Sequence, residues 1–257
     1  MTPRATCVLA PNPSPMTLDG TNTWVILEPG ATEAIVIDPG PLDEGHLQRV
    51  CRVVADAGAR VTHTILTHGH LDHAEAAPRF AELTGSPVHA LGRGHDDLTD
   101  GSVVLAGGLE LRVVGTPGHT SDSLSFVLEA DHALLTGDTI LGRGTTVVAH
   151  PDGELAAYLT SLDRIRDLTG GGAVTTILPG HGPVVPDAAA MVAFYRTHRR
   201  ERLEQVRQAL ADGAARAADL VEAVVETVYA EVPREVWPAA RLSVRAQFTY
   251  LGVTVRS

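Results

Sequence analysis

The first 185 residues alternate short apolar runs with segments whose apolar residues recur at helical spacing. Thr23–Leu27 and Ala34–Ile37 predict a β-hairpin, with Glu28-Pro29-Gly30 as its turn. Glu44–Ala57 is predicted to be an amphipathic helix. The other predicted elements are, in chain order, strand Val61–Thr67, helix Ala74–Leu83, strands Val88–Ala90, Leu109–Val114, Leu124–Leu128 and Ala133–Thr136, a helix that begins near Leu155 and ends at Gly170-Gly171-Gly172, and strand Thr176–Leu178. Strands that alternate with helices are typical of an α/β fold.

From Pro186 onward the pattern predicts helices alone. These helices are expected at Ala188–Ala211, Ala217–Tyr229 and Trp237–Tyr250. We therefore expect two domains, an α/β domain at residues 1–185 and a small helical domain at residues 186–257.

The net charge of −11 is unevenly spread over the 257 residues. Residues 1–185 hold 10 Arg and 22 acidic residues, whereas residues 186–257 hold 10 Arg and 9 acidic residues. The acidic first part argues against general nucleic-acid binding. No apolar run is long enough to span a membrane, the proline-rich segment Met1–Met16 does not resemble a secretory signal, and two cysteines are too few for a disulfide framework. These features together predict a cytoplasmic protein.

The segment His68-Gly69-His70-Leu71-Asp72-His73 carries the strongest chemical signal in the chain. Three imidazoles and a carboxylate follow directly on the predicted strand Val61–Thr67, and they cannot all face one way from a regular helix or strand. They can converge on ions if the backbone leaves the sheet edge as an irregular loop. Because neutral imidazole and carboxylate are ligands of zinc, iron and manganese, the segment predicts a metal centre.

Three further candidate ligands, His119, Asp138 and His181, lie just past predicted strands, and each comes directly after a glycine. Glycine permits unusual backbone angles and close approach of neighbouring groups. Ligands gathered at strand ends would form a rigid cup along one sheet edge. The whole set of histidines and aspartates is large enough for two ions.

These motifs and their order resemble the metallo-β-lactamase superfamily. The similar motifs are Asn22-Thr23-Trp24, Ile37-Asp38-Pro39-Gly40, the segment His68–His73, Gly118-His119-Thr120, Gly137-Asp138 and Gly180-His181-Gly182, and they cover at least residues 17–185. The resemblance implies an αβ/βα four-layer sandwich, with the metals between two sheet edges and residues 1–185 as the catalytic domain.

The resemblance also implies a ligand set and a reaction. It assigns His68, His70 and His119 to a first metal, Asp72, His73 and His181 to a second, and Asp138 to both. A hydroxide between two divalent cations, zinc or else iron or manganese, would be the nucleophile, with Asp72 and Asp138 as the catalytic carboxylates. Asp38, Thr67 and Asp122 are the candidates for holding the imidazoles by hydrogen bonds to their outer nitrogens.

Within the superfamily the chain is most similar to the β-lactamase-like protein 2 group. The stretches Thr136–Val147 and Leu178–Val185 and the helical C-terminus carry this resemblance, and Asp138 stands where the best-known lactamases have a cysteine. Some members of the group cut single-stranded RNA, and their C-terminal domain is similar to a winged helix. The chain stops at Ser257, soon after Tyr250, so we do not expect a full wing.

Our leading hypothesis is therefore a phosphodiester hydrolase that acts on single-stranded RNA. The arginines that would meet the phosphates are Arg196, Arg199, Arg200, Arg202 and Arg207. An alternative of equal weight is that this helix face is solvated and pairs with Glu201 and Glu204. The chain has 4 Phe and 2 Trp, which offers few stacking surfaces to bases and weakens the RNA hypothesis.

Three alternatives stay open. A thioester hydrolase similar to hydroxyacylglutathione hydrolase would use the same two-metal cup, although the chain has no Lys for a lysine-based carboxylate clamp. An iron-dependent sulfur dioxygenase would use one metal, and a non-catalytic nucleic-acid-binding protein would use its metals for structure alone. We expect a small-molecule or single-stranded RNA substrate and no membrane partner, and we leave a homodimer open.

Overall fold

Two β-sheets form the centre of the structure, a computed structural model that describes residues 2–92 and 94–254. The first sheet has six strands in chain order: β1 (Ala5–Leu9), β2 (Asn22–Leu27), β3 (Glu33–Ile37), β4 (Arg60–Ile65), β5 (Val88–Ala90) and β6 (Asp96–Asp97). The strands β1, β2 and β3 are antiparallel neighbours, and β3 to β6 run parallel.

The second sheet has five strands in the order β11-β10-β9-β8-β7. They are β7 (Val103–Ala106), β8 (Leu109–Gly115), β9 (Leu124–Leu128), β10 (Ala133–Gly137) and β11 (Thr176–Pro179). Neighbours from β7 to β10 are antiparallel, and β10 and β11 are parallel. Consequently β8, β10 and β11 all end at the same edge of the sheet.

The main core lies between the two sheets, where Ile35 and Ile65 of the first sheet and Val113, Phe126 and Leu135 of the second are buried in one cluster. Helices α1 (Glu44–Asp56) and α3 (Ala77–Thr84) cover the outer face of the first sheet, and α4 (Leu155–Gly170) and α5 (Ala188–Asp212) cover that of the second. Burial of apolar side chains on both faces of each sheet supplies most of the driving force for this arrangement. The predicted αβ/βα four-layer sandwich is confirmed.

A separate apolar cluster lies at the C-terminus, between the second half of α5 and the helices α6 (Leu220–Val228) and α7 (Trp237–Leu251). The first half of α5 packs instead against the second sheet, where Val192 and Tyr195 are buried. One long helix therefore joins the two cores. The described residues after β11 form no further strand, and the boundary between residues 185 and 186 stays a prediction. In the described part of the chain, no helix is both long and apolar enough to cross a membrane.

The predicted boundaries of one helix were wrong, and three strands were missed. The single helix expected at Ala74–Leu83 is two helices, α2 (Leu71–Ala74) and α3, because Pro78 lacks an amide proton and fits only in a first helical turn. The strands β1, β6 and β7 were not predicted. The apolar pattern of β1 is too weak to predict a strand. The strand forms because its five residues pair with β2.

Candidate metal centre

The candidate metal centre lies between the sheets, at the edge where β4, β8, β10 and β11 end. The loops after these strands bring all seven predicted ligands together. The structure contains three groups of possible ligand atoms that lie within 4.8 Å of one another: His68 with His70 and His119, His68 with His73 and Asp138, and Asp72 with His73 and His181. Strand ends are a rigid support for such a cluster.

In the first group, His70 lies between two other imidazoles. Its Nδ1 is 3.0 Å from Nε2 of His68 and 3.1 Å from Nε2 of His119. One proton cannot satisfy three nitrogens that approach each other this closely. A cation that accepts all three lone pairs can.

In the second group, Nε2 of His181 is 3.1 Å from Oδ2 of Asp72 and 3.2 Å from Nε2 of His73. Asp138 lies between the two groups. Its Oδ1 is 3.4 Å from Nε2 of His73, and its Oδ2 is 3.4 Å from Nε2 of His181 and 3.7 Å from Nε2 of His119. Each oxygen of this carboxylate thus faces imidazole nitrogens, and Oδ2 faces both groups.

Acceptors outside the cluster fix which nitrogen of each imidazole carries the proton. Nδ1 of His119 is 2.6 Å from the carbonyl oxygen of Val147, and Nδ1 of His181 is 3.1 Å from that of Gly20. Nδ1 of His73 is 2.9 Å from Oδ2 of Asp38. Carbonyl and carboxylate oxygens accept and do not donate, so each Nδ1 donates its proton. In the neutral imidazoles, Nε2 therefore presents a lone pair to the cluster.

A buried carboxylate, Asp38, holds two of the imidazoles. It accepts from His73 directly, and its Oδ2 also accepts from the hydroxyl of Thr67 at 2.7 Å. The Thr67 oxygen is then free to accept from Nδ1 of His68, which lies 3.0 Å away. The positions of Asp38 and Thr67 are those expected for residues that orient metal ligands. Asp122 is buried in the loop that follows His119, and its role stays a prediction.

In the metal-free cluster, positively charged imidazoles balance the charge of the neighbouring carboxylates. Burial lowers the pKa of His68 and of His119. Burial also opposes charge on His73, but the Asp138 and Asp38 carboxylates outweigh it and raise the pKa of His73 well above its usual value. In the same way, against burial, Asp138 and Asp72 raise the pKa of His181 to about 9. Protons on these imidazoles occupy the place that a divalent cation would take.

The donor set fits divalent cations. Oδ1 of Asp138 is buried and has no hydrogen-bond partner among the described residues. A buried carboxylate oxygen that accepts no hydrogen bond is costly unless a cation lies beside it. Close packing around it also requires glycine, because a Cβ on Gly180 would lie 2.6 Å from this oxygen and 2.8 Å from Cε1 of His73. The space beside the carboxylate is thus kept free of side-chain atoms.

Sequence reasoning missed the groups that hold the cluster from outside. The carbonyl oxygens of Val147 and Gly20 give no signal, because every residue has one. The role of the motif Asn22-Thr23-Trp24 was also unassigned. Its Asn22 and Trp24 side chains both donate to the carbonyl oxygen of Pro179 at 3.0 Å, and so hold the loop that carries His181.

A cavity of about 280 Å³ opens beside His119 and Asp138. Its far wall is made by apolar residues near and on α7, among them Val232, Val236 and Ala240. The side wall comes from α5 and includes His198, Arg199 and Arg202. The C-terminal helices therefore complete a pocket that reaches His119 and Asp138 of the candidate metal centre.

A family model described as the metallo-beta-lactamase superfamily matches residues 16–94 and 90–181. This chain belongs to the metallo-β-lactamase superfamily. Membership confirms the predicted enzyme class, a metal-dependent hydrolase. A second model, described as a beta-lactamase associated winged helix domain, matches residues 221–248, which in the structure are α6, a short 3₁₀ turn and most of α7.

Relatives of this superfamily member include proteins with two kinds of name. The chain is 35% identical to an atrochrysone carboxyl ACP thioesterase of Aspergillus chevalieri, over 92% of this chain and 76% of that protein. It is 34% identical to the beta-lactamase-like protein 2 homolog of Caenorhabditis elegans, over 78% of this chain and 69% of that protein. The predicted resemblance to the β-lactamase-like protein 2 group is confirmed.

A solved structure supports the fold over nearly all of the chain. A metallo-beta-lactamase family protein from Thermus thermophilus superposes with a TM-score of 0.77 at 22% identity, covering 97% of this chain and 93% of that one. The superposition extends through the C-terminal helices as well as the sandwich.

Proposed function

We propose that this protein hydrolyses thioesters, with the acyl group seated in the cavity beside the metal centre. The cavity is the main support for this proposal, because its lining combines His119 and Asp138 with apolar side chains of the C-terminal helices. An apolar pocket with a few polar groups suits a small organic group. A strand of RNA instead needs an open basic groove lined by stacking surfaces.

The proposed centre would hold two divalent cations, and zinc is the first candidate. His68, His70 and His119 would hold one, Asp72, His73 and His181 the other, and Asp138 would be shared. When bound, the two cations would polarise the thioester carbonyl and lower the pKa of water to about 7.

The protein's own side chains orient the ligands and exchange protons with solvent. Asp38 keeps the proton of His73 on Nδ1, and through Thr67 it does the same for His68. Of the two catalytic carboxylates, Asp72 is the more exposed, with 29% of its side chain accessible against 11% for Asp138. We therefore propose that Asp72, and not Asp138, passes a proton between the site and water.

The arginines on which the RNA hypothesis depends do not form one exposed basic surface. Arg196 lies 2.8 Å from Asp163, and Arg207 lies 3.3 Å from Glu204. Arg199 is 5% exposed and faces the cavity. Cleavage of single-stranded RNA stays a prediction, and these contacts give it less support than thioester hydrolysis.

The relatives add support of a different kind. The Aspergillus chevalieri relative is named as a thioesterase, and the alignment spans most of both chains. Hydrolysis of a thioester needs an activated water and a pocket for the acyl group. The geometry of this site suits both needs.

The test is a substrate panel with metal-loaded protein. Neutral S-benzoyl-N-acetylcysteamine, followed with a thiol reagent, is compared with a labelled oligoribonucleotide. We expect thiol release that falls by about 100-fold or more in Asp72→Ala, in keeping with loss of a metal-ligand carboxylate. The exposed Asp56→Ala variant is the matched control and should match the wild type.

Two results would overturn the proposal. One is the absence of thiol release at every metal loading. The other is thiol release that persists undiminished in Asp72→Ala. RNA cleavage that depends on Asp72, with no thioester turnover, would move the assignment to the phosphodiester hypothesis.

A further inference from the structure

Two arginines one turn apart on α5, Arg199 and Arg202, lie in the cavity wall without a carboxylate partner. None of the ion pairs formed within residues 2–92 and 94–254 includes either of them. Arg199 donates from Nη2 to the carbonyl oxygen of Thr146 at 2.6 Å, and its Nε is buried without a hydrogen-bond partner in the described structure. A guanidinium that is 5% exposed normally has an acid beside it.

Neighbouring aromatic rings hold these guanidinium groups in place. Cζ of Arg199 lies 4.8 Å from the centre of the Tyr158 ring, and Cζ of Arg202 lies 4.4 Å from that of Tyr229. Stacking on a ring fixes the plane of a guanidinium and leaves its N–H edge available for an anion. Both arginines are thus pre-oriented.

A third polar group in the cavity wall also lacks a partner among the described residues. His198 also lines the cavity, and its Nδ1 is buried with no hydrogen-bond partner among the residues described. Buried polar atoms without partners are rare in folded proteins, and each one calls for an explanation. Here two of them, on adjacent residues, share one wall of one pocket.

The charge of the cavity is unbalanced. The other arginine in its lining, Arg143, is paired with Asp19 at 2.7 Å. The carboxylate in its lining, Asp138, belongs to the candidate metal centre. Arg199 and Arg202 therefore leave a net positive charge in a mostly apolar space, which an anionic ligand group would neutralise.

We propose that Arg199 and Arg202, with His198, form a subsite for a carboxylate of the substrate, so that the preferred substrates are thioesters that carry a carboxylate. A carboxylate matches the planar N–H edge of a guanidinium, and such charge-assisted pairs are strong. The inference rests on the proposed thioester hydrolysis. The carboxylate belongs either to the acyl group or to the thiol, and the experiment separates these sources.

Arg202 is the residue to test first. Arg199 also supports the site, because Thr146, which accepts from it, places its hydroxyl 3.1 Å from Nδ1 of His119. Arg202 has no such link, since it donates to the side chain of Gln205 and to the carbonyl of Val228. A change at Arg202 therefore removes charge with less effect on the metal ligands.

The experiment compares three thioesters with metal-loaded protein. S-pentanoyl-N-acetylcysteamine carries no charge, S-glutaryl-N-acetylcysteamine carries a carboxylate in the acyl part, and S-pentanoyl-3-mercaptopropionate carries one in the thiol part. We expect a KM lower by about tenfold or more for one charged substrate than for the neutral one. Arg202→Gln should abolish this difference by raising the KM of the preferred charged substrate to about that of the neutral one.

The matched control is Arg200→Gln, an exposed arginine of the same helix, which should keep the preference. A direct binding measurement makes the test independent of turnover, because glutarate titrated into the wild type should bind about tenfold tighter than into Arg202→Gln. Equal KM for all three thioesters, or a preference and a glutarate affinity that survive both Arg202→Gln and Arg199→Gln, would overturn the subsite. Hydrolysis of the neutral substrate in that case would leave the proposed function standing.

Discussion

Replacing Asp38 by asparagine reverses the hydrogen-bonding polarity beneath two of the candidate metal ligands. Three donors approach the carboxylate: Nδ1 of His73 at 2.9 Å, the Thr67 hydroxyl at 2.7 Å and the Thr67 amide at 2.8 Å. Asparagine has one acceptor oxygen and one donor group. If its oxygen stays on the Thr67 amide, its amide nitrogen faces His73 and the threonine hydroxyl.

The consequence for the metal follows from the tautomer. An amide that donates to Nδ1 of His73 leaves the imidazole proton on Nε2, the atom that faces the cluster. Loss of a partner that orients a metal-ligating imidazole typically weakens metal binding about 10- to 100-fold, or roughly 1.4–2.8 kcal/mol. The backbone is not strained by the change, because Asp38 has φ of 52°, a region that asparagine tolerates well.

The assay is competition for metal between the protein and a chromophoric chelator, with circular dichroism to confirm folding. Asp56→Asn, on the exposed face of α1, is the matched control. Thr67→Val removes the link to His68 and keeps the carboxylate on His73, so we expect a smaller loss. An Asp38→Asn affinity within about twofold of the wild type would refute the reasoning that this carboxylate sets the tautomer.

Three further predictions concern packing and protons. Gly180→Ala should lose most of its metal and activity, since the added Cβ would lie 2.6 Å from Oδ1 of Asp138. Gly170→Ala is the control, because the space around Gly170 is open, and it should keep both. Elemental analysis of the two proteins checks the metal content. His46 is fully buried, and burial together with a nearby arginine lowers its pKa to about 4. As the pH drops, His46 of the unfolded chain therefore takes up a proton before His46 of the folded protein does. The free energy of unfolding should thus fall between about pH 6.5 and about pH 4. The contribution of His46 is roughly 3 kcal/mol. Urea unfolding should therefore show a loss of stability between pH 7 and pH 4.5 that is smaller in His46→Gln than in the wild type by about this amount. Metal binding at pH 7 should release at least about one proton per chain, because the pKa of His181 in the metal-free protein is about 9, and calorimetry in buffers of different ionisation enthalpy measures this.

The ligands could be predicted from the sequence because their side chains carry the chemistry themselves. His119, Asp138 and His181 stand after glycines at strand ends, and an apolar run followed by such a residue is visible without a structure. The groups that fix the tautomers could not be predicted. The carbonyls of Val147 and Gly20 are selected by the path of the chain alone.

The arginines of α5 show a different limit. Helical periodicity tells which residues share a face, and it does not tell what that face meets. The sequence pattern predicts that Arg199 belongs to a basic surface, yet it is buried, with the Tyr158 ring of α4 and the carbonyl oxygen of Thr146 beside its guanidinium. The pocket for a substrate arises from this packing, which no local pattern encodes.

The number of metal ions bound per chain tests the central claim most directly. Protein stripped with a chelator, reloaded with zinc and freed of excess metal should show two ions per chain by native mass spectrometry, and Asp138→Ala should hold at most one. A wild type that binds one ion or none under these conditions, or an Asp138→Ala protein that keeps two with unchanged affinity, would contradict a centre in which one carboxylate is shared by two cations.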